Sequence, residues 1–121
     1  MAKFRYHNVN PYRKKTGDCV IRAIACAFNL TWQDASDVLY EVARGLGCEM
    51  SCLGCYSTLF SELDLYEVDV RGLKVGEVAA KYPEDIIIIR IPGHLTCAKY
   101  GEVLDIWDCR YEEVDRAWLV K

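Results

Sequence analysis

Between Val20 and Phe28 only Arg22 carries a charge, while Val20, Ile21, Ala23, Ile24, Ala25, Ala27 and Phe28 are apolar. Read as a helix, this stretch is apolar on nearly every side, and such a helix is stable only when the rest of the chain covers it all round. A chain of 121 residues can supply that cover, because at this length roughly two thirds of the unfolded surface is buried on folding. Thr16, Gly17 and Asp18 are residue types that cap or turn, so they mark the start of the helix. Cys19 then falls in or beside its first turn.

The remaining periodicities supply the layers around that helix. A second helix is predicted from about Thr31 to Leu46, with Thr31 as N-cap and Asp34 three residues on. Trp32, Ala35, Val38, Leu39, Val42, Ala43 and Leu46 lie on one face, and Gly45 and Gly47 provide the stop. A third helix, Ser51 to Leu63, puts Leu53, Tyr56, Leu59, Phe60 and Leu63 on one stripe, and a short fourth near Val75 to Lys81 ends before Pro83. Strand patterns come later. Leu65 to Val70 is weakly patterned, and Ile86 to Ile91 reads as a central strand buried on both faces. His94 to Lys99 and Glu102 to Trp107 flank Tyr100-Gly101 as a hairpin, and Trp118 to Val120 adds an edge. Helices followed by antiparallel strands predict an α+β fold. No repeat, low-complexity tract or linker divides the chain, so one domain is expected over residues 1–121.

Composition narrows the function classes. Hydrophobic and charged fractions of 52% and 27% are those of a globular chain. The longest dense apolar run, Ile86 to Ile89, is far short of the roughly 20 residues a bilayer demands, so no membrane partner is expected. Met1 to Arg5 leads into polar sequence without an apolar signal region, which points to a reducing, cytoplasmic setting. There the seven cysteines are expected as free thiols rather than a disulfide framework. The net charge of −3 and pI near 5.4 argue against a nucleic-acid partner. Lys3, Arg5, Arg13, Lys14 and Lys15 form a basic arm, expected to lie against the acidic stretch from Glu102 to Asp115.

Only two histidines are present, and His94 opens a strand directly after Pro92-Gly93. With a two-residue loop at Tyr100-Gly101, Lys99 pairs with Glu102, Ala98 with Val103 and Thr96 with Asp105. His94, Thr96 and Asp105 then share one face of the sheet. Asp105 is a diagonal neighbour of the imidazole, whereas Asp108 has the opposite parity and becomes the partner only if the loop is one residue longer. A thiol at a helix N-terminus feels the partial positive charge of unpaired N–H groups, which favours the thiolate. Cys19 is thus the candidate nucleophile, His94 the base and Asp105 the group that orients the base.

Cysteine on a buried helix, histidine at a strand start and aspartate on the following strand is the order found in papain-like cysteine peptidases. Thr16-Gly17-Asp18-Cys19-Val20-Ile21-Arg22-Ala23 resembles the Asp-Cys helix start of the bacteriocin-processing peptidases that cut after double-glycine leaders. Gly93-His94-Leu95-Thr96-Cys97 and Val103-Leu104-Asp105-Ile106-Trp107-Asp108 resemble their His-strand and Asp-strand, a combination also similar to small phage and bacterial proteins of that type. The resemblance implies a papain-like fold and a thiol hydrolase acting on a peptide or isopeptide bond, with a peptide or protein as substrate and no cofactor or metal. It also implies a Gln about six residues before the cysteine as oxyanion donor. Arg13 occupies that position, which leaves Arg13, Asn10 or Asn8 as side-chain substitutes.

Two other readings stand beside this one. A papain-like scaffold without turnover would be a binding or inhibitor protein. Cys48, Cys52 and Cys55 follow C-x3-C-x2-C, which on a helix puts the three thiols on one face. They are either small core residues or the basis of a metal-binding module with Cys97, Cys109 or His7 as a distant fourth ligand. Cys26 and Cys97 read as core. An acyltransferase of the transglutaminase kind would use the same triad.

Overall fold

The computed structural model describes residues 2–11 and 18–120. Its centre is β3 (Ile86–Ile91), where five isoleucines in six positions suit the pleated backbone. Ile87, Ile88, Ile89 and Ile91 are all at most 2% exposed, so the strand is buried on both faces. The turn at Pro92 and Gly93, with Gly93 at φ +75°, reverses the chain so that Ile91 pairs with His94 at the head of β4 (His94–Lys99). Tyr100 and Gly101 at φ +53° and +82° form the two-residue hairpin turn whose twist matches antiparallel strands. It sets Lys99 opposite Glu102 and Ala98 opposite Val103 in β5 (Glu102–Asp105), the register read from the sequence.

Beyond this meander the sheet departs from the expectation. Among the described residues it has six strands in the order β1-β5-β4-β3-β6-β2 and is mixed rather than antiparallel. The basic arm forms β1 (Lys3–Tyr6), an edge strand parallel to β5, in which Arg5 pairs with Glu102 at 2.9 Å. Its partner lies at the far end of the chain, and four residues of mixed polarity carry no pattern of their own, so local periodicity does not register it. The last strand, β6 (Arg116–Val120), is interior rather than an edge: it pairs antiparallel with β3 on one side and with β2 (Tyr66–Val68) on the other. The weak β2 takes the edge, at the end of the sheet opposite β1.

Helices cover both faces. α1 (Cys19–Phe28) lies against the sheet with Val20, Ile21, Ala23, Ile24, Ala25, Cys26 and Ala27 buried. α2 (Trp32–Leu46) packs beside it; the Thr31 hydroxyl accepts the Asp34 N–H at 3.1 Å, and Gly47 in the left-handed conformation ends the helix. α3 (Leu53–Glu62) completes the layer, with Phe60 against Trp118 at a centroid distance of 5.0 Å. Odd-numbered side chains of β3 face the other way, where Ile87, Ile89 and Ile91 pack with Val75 and Val78 of α4 (Val75–Lys81). Thr16 and Gly17, read as part of the α1 start, lie outside the described residues, as do Arg13, Lys14 and Lys15. Among the described residues no helix is long and apolar enough to cross a membrane.

Candidate active site

The ends of three elements bring the site together. Cys19 is the first residue of α1, with Asp18 as an N-cap that makes no side-chain capping bond, so the first-turn N–H groups lack intrahelical acceptors. His94 is the first residue of β4, placed by the tight turn before it, and Asp105 is the last residue of β5. His94 lies four positions before Ala98 and Asp105 two positions after Val103, its paired residue, so register and parity bring the imidazole to the carboxylate. His94 Nε2 and Asp105 Oδ2 are 2.7 Å apart, with side chains 13% and 5% exposed. Asp105 Oδ1 accepts the Ile106 N–H at 2.7 Å, and the edge of the Trp107 ring lies against the imidazole at 5.1 Å between centroids. Cys19 and the imidazole line the same groove, close enough for each to act on the other. With Nε2 turned to Asp105, Nδ1 is the ring nitrogen left for the thiol.

The electrostatics favour separated charge. Burial pushes the Cys19 thiol up, but the imidazole bond, the Leu95 N–H and the charges of His94 and Arg22 outweigh it and hold the thiol below its ordinary range. Burial also works against the charged imidazole, yet hydrogen bonds to Asp105, Cys109 and Cys19 push His94 up to about 11. Asp105, despite burial, is held below the usual carboxylate range, chiefly by His94. Both shifts run toward a thiolate–imidazolium pair backed by a carboxylate. Asp18 sits next to the thiol, but its negative charge is taken up by Arg22 at 3.3 Å, Asn10 Nδ2 at 2.8 Å and Trp32 Nε1 at 3.0 Å.

The same contacts bear on the oxyanion donor. Asn10 gives one of its two amide hydrogens to Asp18 at 2.8 Å. Asn8 accepts the Asn10 N–H at 3.0 Å through Oδ1, and its buried Nδ2 has no partner among the described residues. Arg13 lies outside the described residues. The backbone donors at the start of α1 stand beside the thiol itself. A groove of about 290 Å³ opens on the pair, lined by Val20, Ser51, Leu53, Tyr56, Arg90 and Gly93 as well as Cys19 and His94. Tyr56 Oη in that groove accepts from Arg90 Nε at 2.8 Å. A larger hollow of about 710 Å³ lies over Lys3, Arg5, Lys99 and Glu102 and contains none of the triad.

Asp108 turns away from the imidazole and holds Arg110 through two bonds of 2.8 and 2.7 Å. The expected common helical face for Cys48, Cys52 and Cys55 does not form. Cys48 follows the Gly47 cap of α2, exposed Cys52 is the N-cap of α3, and only Cys55 is helical. Cys55 is fully buried with Sγ 3.6 Å from the Leu39 carbonyl, and burial with the neighbouring Cys48 pushes its thiol up to about 11. Cys26 and Cys97 are buried and in contact through their thiols. Sequence reasoning missed the role of Cys109: it is fully buried with Sγ 3.9 Å from Asp105 Oδ2. It lies in an aperiodic turn, and its only sequence signal is a thiol four residues beyond a carboxylate. Compared with protein-family models, curated proteins and solved structures, the chain finds no match in any of the three.

Proposed function

We propose that this chain is a papain-like cysteine hydrolase that cleaves a peptide or isopeptide bond, working in a reducing, cytoplasmic setting. The observation that carries the reading is Cys19 at the N-terminus of α1 sharing a groove with His94, whose Nε2 is 2.7 Å from Asp105, with the thiol lowered and the imidazole raised. In this mechanism the Cys19 thiolate attacks the substrate carbonyl carbon, and the charge passes to the carbonyl oxygen near the α1 N–H groups. Imidazolium His94 then gives its proton to the leaving amine as the carbon–nitrogen bond breaks, which leaves a thioester on Cys19. Neutral His94 takes a proton from water, the hydroxide adds to the thioester, and the acid product departs with the thiolate restored. Asp105 holds the ring orientation throughout.

A peptide vinyl sulfone is the direct test. Wild type should be modified at Cys19 alone, and Cys19→Ala should take up no label while keeping its melting temperature. Equal labelling of folded Cys19→Ala defeats the assignment. A binding protein on the same scaffold is favoured by one observation, Arg13 in place of the usual Gln six residues before Cys19. That reading expects tight partner binding that Cys19→Ala leaves unchanged, with no turnover in wild type.

A further inference from the structure

His94 Nε2, Asp105 Oδ2 and Cys109 Sγ all lie within 4.8 Å of one another. We infer that these three atoms bind one thiophilic divalent cation of the zinc type. Tetrahedral zinc, with bonds of roughly 2.0–2.3 Å, separates its ligand atoms by about 3.3–3.7 Å. The observed separations of 2.7 Å for Nε2–Oδ2 and 3.9 Å for Sγ–Oδ2 bracket that range, so small side-chain rotations close the site. One imidazole, one carboxylate and one thiolate suit zinc, cobalt or nickel; calcium and magnesium require oxygen donors. The two anionic donors balance a 2+ charge, which matters because Asp105 is 6% and Cys109 0% exposed.

The groups around the ligands are already fixed. Ile106 N–H occupies Asp105 Oδ1 and leaves Oδ2 facing the other two donors. The turn carrying Cys109 is tied at three points: Glu112 N–H to the Cys109 carbonyl at 3.1 Å, Gly76 N–H to the Arg110 carbonyl at 2.9 Å, and Arg110 Nη1 to the Ala2 carbonyl at 3.0 Å. Such outer contacts orient ligands and strengthen metal sites. Binding releases the Cys109 thiol proton and the Nε2 proton to solvent, and no oxidation state changes. Resting on the hydrolase reading, the site has a consequence. An imidazole bound to the cation through Nε2 carries its one N–H on Nδ1, facing Cys19, so it has no lone pair left to accept a proton. The occupied site is the off state.

Cobalt(II) titrated into the full chain, with its thiols kept reduced, tests the inference. Wild type should bind one cobalt with a thiolate-to-cobalt charge-transfer band, displaced by zinc, and its melting temperature should rise with cobalt concentration. Cys109→Ser should lose the band, and His94→Gln should weaken binding more than about tenfold. Cys19→Ala and Cys52→Ser should bind as wild type does. Should Cys109→Ser fail to fold, loss of the cobalt-dependent stabilisation in His94→Gln carries the same information. No band in wild type, or an undiminished band in Cys109→Ser, overturns the inference and leaves the hydrolase reading intact. Cobalt binding with this ligand dependence alongside unreactive Cys19 does the reverse. Zinc should also slow Cys19 labelling in wild type but not in Cys109→Ser.

Discussion

Two sets of three residues in this chain behave in opposite ways. Cys48, Cys52 and Cys55 are close in sequence, yet they end in three different settings: after a helix cap, at an N-cap and in the core. Cys19, His94 and Asp105 are far apart in sequence, yet they come together in one site. The thiol of the first set that is buried, Cys55, is pushed up to about 11 by burial and by the neighbouring thiols, and no positive charge or N–H donor offsets them. Cys19 is held down because an imidazole, a backbone N–H and an arginine reach it. What makes a thiol reactive is the charge and the donors around it, and spacing along the chain does not supply them.

The sharpest way to break this contrast is the alkylation rate of each cysteine by iodoacetamide between pH 4 and 9. Cys19 should react below the free-thiol range, because its pKa is lowered, while native Cys55 stays unlabelled. In His94→Ala the rate at Cys19 near pH 6 should fall on the order of 10²-fold, as the thiolate fraction drops toward that of a free thiol of pKa about 8.5. Comparable rates at Cys19 and Cys55 in the folded protein would remove the contrast altogether.

Asp105→Asn probes the next link. The amide keeps the shape but not the charge that raises the imidazole, so imidazolium His94 should persist to a lower pH than its present limit of about 11. Cys19 alkylation at neutral pH should drop about tenfold, with the larger losses at the alkaline end. An unchanged pH profile would show that Asp105 does no more than pack.

Stability gives a third comparison. His94 is raised in the folded state from 6.5 to about 11, so its contribution is complete below pH 6.5 and is lost as the pH climbs through 11. Asp105 is lowered from 3.8, so its contribution is present above that value and is lost as the pH falls through the folded pKa. His94→Gln should therefore lower the melting temperature most between about pH 4 and 6.5, by about 4 °C or more, and less at pH 9 and above. Cys55→Ala leaves a small cavity, and its cost should not vary with pH across the acid range. A pH-independent deficit in His94→Gln would mean the ion pair adds nothing.

The part of this site that could be read from the sequence is the part set by local rules. Tyr100-Gly101 is a turn dipeptide, and a two-residue loop fixes register, so the pairing of Ala98 with Val103 and the shared face of His94 and Asp105 follow from counting. The buried α1 follows from its all-round apolar pattern, and its start places Cys19. What was not legible depends on distant partners. The parallel pairing of β1 with β5 and the interior place of β6 are decided by strands elsewhere in the chain. Cys109 reaches Asp105 through a turn held by Arg110, Gly76 and Ala2, none of which leaves a periodic trace.

Asp108 is the smallest test and the most selective one. It lies three residues beyond Asp105, at the position that a loop longer by one residue would have made the partner of His94. In the fold it binds Arg110 instead, and that contact is largely exposed, with side chains 36% and 25% accessible. An exposed carboxylate–guanidinium pair is worth about 0–1 kcal/mol. Asp108→Asn should accordingly change stability by less than about 1 kcal/mol and the Cys19 alkylation rate by less than about twofold. A large loss of Cys19 reactivity in this variant, against a small one in Asp105→Asn, would exchange the roles of the two aspartates and shift the hairpin register with them. If instead both aspartates are silent while His94→Ala is not, the imidazole acts on Cys19 without an orienting carboxylate, and the buried Asp105 is left to Cys109 and the cation.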